Sequence, residues 1–465
     1  MPAMTATLER PAIAVRPVIS PSLLGTLRTL RKLVRNPMDA WPPAVYTEKL
    51  VPSRMLGRNT LFVCHPDLVQ QVLVDDSDSF VKAEPMRRSL EPGLGKAILT
   101  AEGARWRLHR RVAAPVFRPS NVNSFLPAMI KAARDLCARW AQLPDGATLE
   151  ISSEMMHVTF DIILETMLSG RGNTDTSRFE RGMRDFLEST SWTTALSALG
   201  APEWTPFPGK WAAARGSAYL RQIVSARIAE RRASGERHDD LLSLMLDAKD
   251  PETGDGLSDE DIRDNILSFV AAGHETTALA LTWTFFILSS RRDIEARILE
   301  EIDEVTGGAP LEAHQVADLV YTKQVIQESM RVYPPVAMVV RQATHDLTIG
   351  GVHVTPHDNV FVPIYAIHHH ALLWDEPSRF DPERFTPDAI RERHRWSYLP
   401  FGAGPRICIG MGFAMLEAAA ILGTILPAMR LTAPDGFKPT PKLRVTMRPA
   451  EGMPMALSHK EHKLS

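Results

Sequence analysis

One long helical signal sets the architecture of this chain. Between Pro251 and Pro310 there is no proline, although 35 of the 465 residues are proline, above the usual ~5%. Ser258 supplies an N-cap, and Asp259, Glu260 and Asp261 give an acidic first turn. The stretch NILSFVAAGHETTALALTWTFFILSS then predicts one helix to about Arg291. Such a helix has roughly 33 residues and spans about 50 Å. It is apolar nearly all round in its second half, so it must cross the core of a large domain. Length alone allows about three domains. No internal repeat or low-complexity linker divides the chain, so the expectation is a lead-in segment, residues 1–39, and one domain over residues 40–465.

The rest of the chain reads as mainly α with small β-sheets (α+β). Helices are predicted near Leu23–Val34, over 104–117, within 122–170, at 293–305, at 313–332, and from about Cys408 to Met429. Short β-rich runs broken by Gly, Pro and Asp follow Pro335. Residues 196–211 hold three prolines with Trp204, Phe207 and Trp211. They read as an apolar loop between helices, either a packed connector or a lid over a pocket. Lys and Arg total 53 and Asp and Glu 55, a balance of −2 that argues against a nucleic-acid binder. The three cysteines, Cys64, Cys137 and Cys408, are odd in number and widely spaced. A disulfide scaffold is disfavoured and a reducing, cytoplasmic compartment expected. No run of 18 apolar residues is present, so no integral membrane anchor is expected. The basic RTLRKLVR segment reads as a solvated helix face.

Chemistry concentrates around Cys408, in PFGAGPRICIGMGFAMLEAAA. A helical pattern follows it, so the positive end of the helix dipole favours thiolate. Gly402, Gly404 and Gly410 let the backbone come close to a bulky planar group. FGAGPRICIG resembles the haem-binding loop of the cytochrome P450 family at every defining position. The resemblance implies that Cys408 is the axial thiolate of haem b, that Phe401 packs by the sulfur, and that Arg406 reaches a propionate. It also implies the family's prism-shaped fold, with the long helix passing over the haem.

Three further motifs agree with it in order. Ala272-Gly273-His274-Glu275-Thr276-Thr277 puts Gly and Thr inside a helix, which is locally unfavourable and reads as a notch for a small molecule. A zinc HExxH site fails here, because position 278 is Ala. By resemblance this is the oxygen-binding groove, with Thr276 and Glu275 as the alcohol and acid of its proton relay. Glu328-Ser329-Met330-Arg331 with Phe380–Phe385 (FDPERF) implies a structural triad of Glu328, Arg331 and Arg384. Trp106 and Arg110 share a helix face and match a propionate-binding pair, with Arg341 as a third contact. His368-His369-His370 invites a metal reading, but a strand would alternate their faces, and no second ligand cluster accompanies them.

By family position the substrate pocket draws on Ile98, Leu99, Phe269, Ala272, Val336, Met338 and Val339. These side chains suit a hydrophobic small molecule. The resemblance covers roughly residues 40–455 and implies a monooxygenase that uses O2. Electrons are expected from a separate ferredoxin- or flavodoxin-type donor docking on Arg107, Arg111, Arg393 and Arg395. A monomer is expected. The alternatives are a peroxygenase or isomerase with the same haem-thiolate site, or a non-catalytic haem sensor. The intact Glu275/Thr276 pair argues against all three.

Overall fold

The computed structural model describes residue 32 and residues 35–460, apart from 56–57, 170–174, 199 and 357. The helix expected near Leu23–Val34 lies largely outside them. Asn36 already belongs to the folded body: it is buried, its Nδ2 donates to the Pro441 carbonyl (3.0 Å), and its Oδ1 accepts from the Leu443 N–H (3.0 Å).

The principal helices are α1 (Glu84–Leu94), α2 (Gly103–Ala113), α3 (Leu126–Trp140), α4 (Ile151–Leu168), α5 (Thr176–Ala198), α6 (Lys210–Ser234), α7 (Leu241–Asp247), α8 (Asp259–Ser290), α9 (Arg292–Thr306), α10 (Val320–Val332) and α11 (Met411–Ala428). The central helix is α8, with Ser258 Oγ capping the Asp261 N–H at 3.1 Å. It packs most extensively on α4 and also meets α6, α10 and α11. Where α8 crosses α4, a Cβ on Gly273 would lie 2.8 Å from Ile163 Cδ1. Thr159 of α4 donates to the His274 carbonyl beside it (2.8 Å). Two buried threonines in α8 are satisfied locally: Thr282 and Thr284 donate to the carbonyls four residues back (2.7 Å each).

A five-stranded sheet stands to one side. Its strands are β1 (Leu50–Met55), β2 (Arg58–Val63), β3 (Phe80–Lys82), β4 (Val339–Ala343) and β5 (Asn359–Val362), in the order β1-β2-β5-β4-β3. Among the described residues of this sheet only β2 and β5 run parallel. A hairpin of β6 (Pro441–Leu443) and β7 (Met447–Pro449) lies elsewhere.

Two expected helices differ in detail. The 313–332 segment splits into a 3-10 turn, Ala313–Asp318, and α10. Leu319 between them leaves helical geometry (ψ 73), and the Glu301 carboxylate accepts the Thr322 N–H (2.8 Å) and hydroxyl (2.7 Å) to start α10 afresh. The last helix begins at Met411, so Cys408 sits in the turn before it. By length and composition α11 could cross a membrane (mean hydropathy 1.6). Here it is a core helix packed on α3, α10 and α8. The loop expected over 196–211 is shorter, since α5 reaches Ala198 and α6 begins at Lys210; Trp204 in it is 77% exposed and Trp211 on α6 82% exposed, so neither tryptophan is packed as in a closed connector.

Candidate active site

The cysteine turn is built from backbone constraints. Gly404 has φ +70, and a Cβ there would lie 1.9 Å from the Leu73 carbonyl oxygen, so only glycine fits. The Cys408 N–H donates to the Phe401 carbonyl (2.9 Å), closing the turn. The Cys408 side chain is accessible, although protein surrounds it. That surrounding raises the thiol pKa, while the Gly410 N–H and the Arg110 charge pull it down without reversing the shift. The dipole-favoured thiolate expected from sequence is therefore not sustained by the protein alone. A coordinated metal ion deprotonates such a thiol outright.

Cations gather beside this turn. Arg110 Nη1 donates to the Ile407 carbonyl (2.9 Å). Arg406 lies 5.2 Å over the buried Trp106 ring. Its guanidinium is paired to Glu102 (2.6 and 3.2 Å), so Glu102 competes for the residue expected to reach a propionate. Arg341 of β4 and Lys82 of β3 are register partners across neighbouring strands. Like charges placed opposite each other are destabilising. Burial, partly offset by Glu102, pushes Lys82 down to about 8; burial and then Arg406 push Arg341 down to about 10. Lys82, Arg341 and Arg406 thus share one carboxylate, Glu102, while Arg110 stands by the cysteine turn without it. The donor set fits a dianion, and the two propionates of haem b supply that charge. The sequence reading missed Glu102 and Lys82. Glu102 was findable as the N-cap position of α2, and Lys82 only through strand register.

The central helix offers a distal wall. It runs unbroken through Gly273–Thr277, so the expected notch is not a break. Accessibility marks it instead: Ala272 is exposed and Thr276 half-buried between buried neighbours. Thr276 Oγ1 donates to the Ala272 carbonyl (2.7 Å). Phe117 links this wall to the cysteine turn. Its ring stacks edge-on to Phe269 (centroids 5.0 Å), and a Cβ on Gly410 would lie 4.0 Å from it. Glu275 points elsewhere: its buried carboxylate accepts from Arg448 (2.6 Å) and from the Thr446 hydroxyl. Among the described residues no hydrogen bond joins Glu275 to Thr276.

With this geometry in view, a sequence profile of the Cytochrome P450 family matches residues 45–454. The chain belongs to the cytochrome P450 family. It is 34% identical over 422 residues to cyclooctat-9-en-7-ol 5-monooxygenase of Streptomyces melanosporofaciens, covering 90% of each chain. It is 30% identical to cyclooctatin synthase of the same organism, covering 96% of this chain and 98% of that one. The crystal structure of the cytochrome P450DA heme domain matches with a TM-score of 0.81 and 27% identity, over 89% of this chain and 90% of that one. The protein is a cytochrome P450 monooxygenase that uses haem b and O2, acts on a hydrophobic substrate and takes electrons from a redox partner.

The remaining predicted P450 residues fall into place unevenly. Glu328 and Arg331, both fully buried, form a two-pronged pair (2.7 and 2.8 Å), and Arg384 Nε stands 3.7 Å from Glu328. Burial raises the Glu328 pKa against the pull of Arg331. Arg331 also donates to the carbonyls of His368, Pro377 and Arg379 (2.9–3.0 Å), which ties the meander before the cysteine turn to α10. His368 is engaged in the same network, Nε2 accepting from the Leu399 N–H (2.8 Å). Ile98, Leu99 and Phe269 share one apolar cluster, while Val336 and Val339 pack with the sheet. Met338 faces the other way, among Trp41, Phe62 and Tyr365, and does not join the other pocket residues. The docking patch also shrinks. Arg111 is paired to Asp250 (2.7 and 2.9 Å), and Arg393 is held against Trp374, Phe385 and Tyr398. Arg107 and Arg395 remain exposed.

Proposed function

We propose that this P450 hydroxylates a cyclic terpenoid, an apolar ring system bearing few polar groups. The observation that carries this is the 34% identity, over 90% of both chains, to an enzyme named for cyclooctat-9-en-7-ol. The apolar side chains of Ile98, Leu99, Phe117 and Phe269 support it, since they offer a rigid hydrocarbon little to hydrogen-bond.

In this reading Cys408 would ligate the haem iron, and Gly410 would leave room for the bound group beside it. Phe401 packs by the sulfur. Arg110, Arg341 and Lys82 hold the propionates, with Arg406 divided between them and Glu102. Trp106 supports Arg406 from beneath. Bound haem supplies the activation of O2 by two electrons and two protons. Thr276 holds a proton at its hydroxyl on the distal wall, beside Ala272. Glu275 moves protons inward from a surface groove of about 350 Å³ whose lining includes Trp192, Arg444 and Arg448. It does so when Arg448 releases its carboxylate. The domain spans residues 40–465 and works as a monomer. An acidic ferredoxin or flavodoxin delivers electrons at Arg107 and Arg395. Three free cysteines suit a cytoplasmic setting.

The test is a binding titration of the haem-loaded protein. Cyclic terpenoid alcohols are expected to shift the Soret band toward high spin at micromolar concentration. A response to linear fatty acids and none to ring compounds would overturn the substrate class.

A further inference from the structure

The β6–β7 hairpin is pinned at three points. Asn36 holds β6 through Pro441 and Leu443, the Met447 N–H donates to the Pro335 carbonyl (2.8 Å), and Trp283 Nε1 donates to the Met447 carbonyl (3.2 Å). The hairpin therefore gives a fixed wall to the groove of about 350 Å³, to which α5 contributes Glu188 and Trp192 and α8 contributes Glu275. That volume lies within the range of small-molecule sites. Three cations line the groove: Lys442, Arg444 and Arg448. Arg448 is committed to Glu275 (2.6 Å). Among the described residues Lys442 and Arg444 make no ion pair, and Glu451 acts on Lys442 without pairing to it. One other carboxylate in the lining, Glu188, is likewise unpaired among the described residues. Two unpaired cations against one unpaired carboxylate leave a single positive charge in excess. Apolar surface lies in the same groove, where Trp192 is 45% and Val445 41% exposed.

We propose that this groove binds an amphiphilic organic monoanion, its carboxylate held by Lys442 and Arg444 and its apolar body laid against Trp192 and Val445. A carboxylate matches the fork of Arg444, and covering the two apolar side chains removes them from water. An inorganic dianion suits the lining less, because Glu188 repels the second charge and the apolar side chains gain nothing. Occupancy fills the groove from which Glu275 draws protons, so the bound anion slows turnover without entering the haem pocket. That consequence rests on the Glu275 route proposed above; the binding site does not.

Calorimetric titration of the haem-loaded protein tests the site, with 4-phenylbutyrate as the probe and neutral 4-phenylbutanol as its matched control. The acid should bind one site at submillimolar concentration, about ten-fold more tightly than the alcohol, and leave the Soret band unmoved. Lys442→Ala/Arg444→Ala should erase that difference at unchanged haem content and melting temperature, and Trp192→Ala should weaken the acid several-fold. If the double variant loses haem, Arg444→Glu, at an exposed position, decides in its place. Equal binding of acid and alcohol, equal binding of the acid by the variant, or a Soret shift that follows the acid would overturn the site. With a cyclic terpenoid alcohol as substrate, the acid should lower kcat and leave KM unchanged. A raised KM would put the acid in the haem pocket and overturn the site. Groove binding with kcat unchanged would overturn the Glu275 route, while the titration still decides the site.

Discussion

Lys82 and Arg341 stand opposite each other on adjacent strands, an arrangement that is destabilising until an anion compensates it. The account therefore predicts two opposite effects of Arg341→Leu. Haem retention through gel filtration should fall, and the haem-free protein should melt no lower than its unmutated counterpart. Lower melting with unimpaired haem retention would make Arg341 a structural residue only. Thr276→Ala should uncouple reducing-equivalent consumption from product and raise peroxide release; unchanged coupling would count against its role at the distal wall. Glu417, fully buried on α11, carries a pH prediction. Its folded pKa of about 8 lies above the ordinary 4.5, so folding favours the protonated form. That contribution is complete below about pH 4.5 and is lost as pH rises toward about 8. The melting temperature of the unmutated protein should therefore fall relative to Glu417→Gln between pH 5 and 8. At this scale Cys408, Trp106 and Arg110 were legible because each lies in a short local motif. Lys82, Phe117 and Arg448 were not, because their roles come from contacts between segments far apart in the chain, and Glu102 showed only as a helix N-cap position and not as the partner of Arg406. Glu275 was legible as an acid but not in its direction, since its partners lie on the β6–β7 hairpin, more than 170 residues onward.

Elements were legible where their boundaries have local causes. The central helix runs Asp259–Ser290 as the Ser258 cap and apolar run indicate. Leu319 breaks the 313–332 helix because Glu301, on α9, supplies a tertiary cap that no local signal announces. The cysteine turn is the most constrained short element. Gly404→Ala would put a methyl onto the Leu73 carbonyl at a positive φ, so it should displace the turn and shift the haem spectrum even where the protein folds. The meander before it depends on the Glu328–Arg331 pair. Removing one partner of a fully buried ion pair costs roughly 3–5 kcal/mol. Glu328→Ala should therefore abolish haem incorporation, and a folded, haem-replete Glu328→Ala protein would refute that role.

At the scale of the whole molecule, the fold class followed from one long helix and few short strands, and the family from four ordered motifs. The surface was less legible. Two of four arginines expected to greet an electron donor are spent on Asp250 and on an aromatic cluster, which only the folded structure brings near them. Arg107→Glu and Arg395→Glu should slow reduction by an acidic carrier and weaken its salt dependence. Arg111→Glu should lower stability instead, through loss of its pair with Asp250. Equal slowing by all three would restore the larger patch. Everything in the account converges on a thiolate from Cys408 bound to haem iron. The most direct measurement is the absorption spectrum of the reduced protein under carbon monoxide. The account predicts a strongly red-shifted Soret band that Cys408→Ser abolishes. A band at the position of histidine-ligated or protonated-thiol haem, or no haem in correctly folded protein, would contradict it.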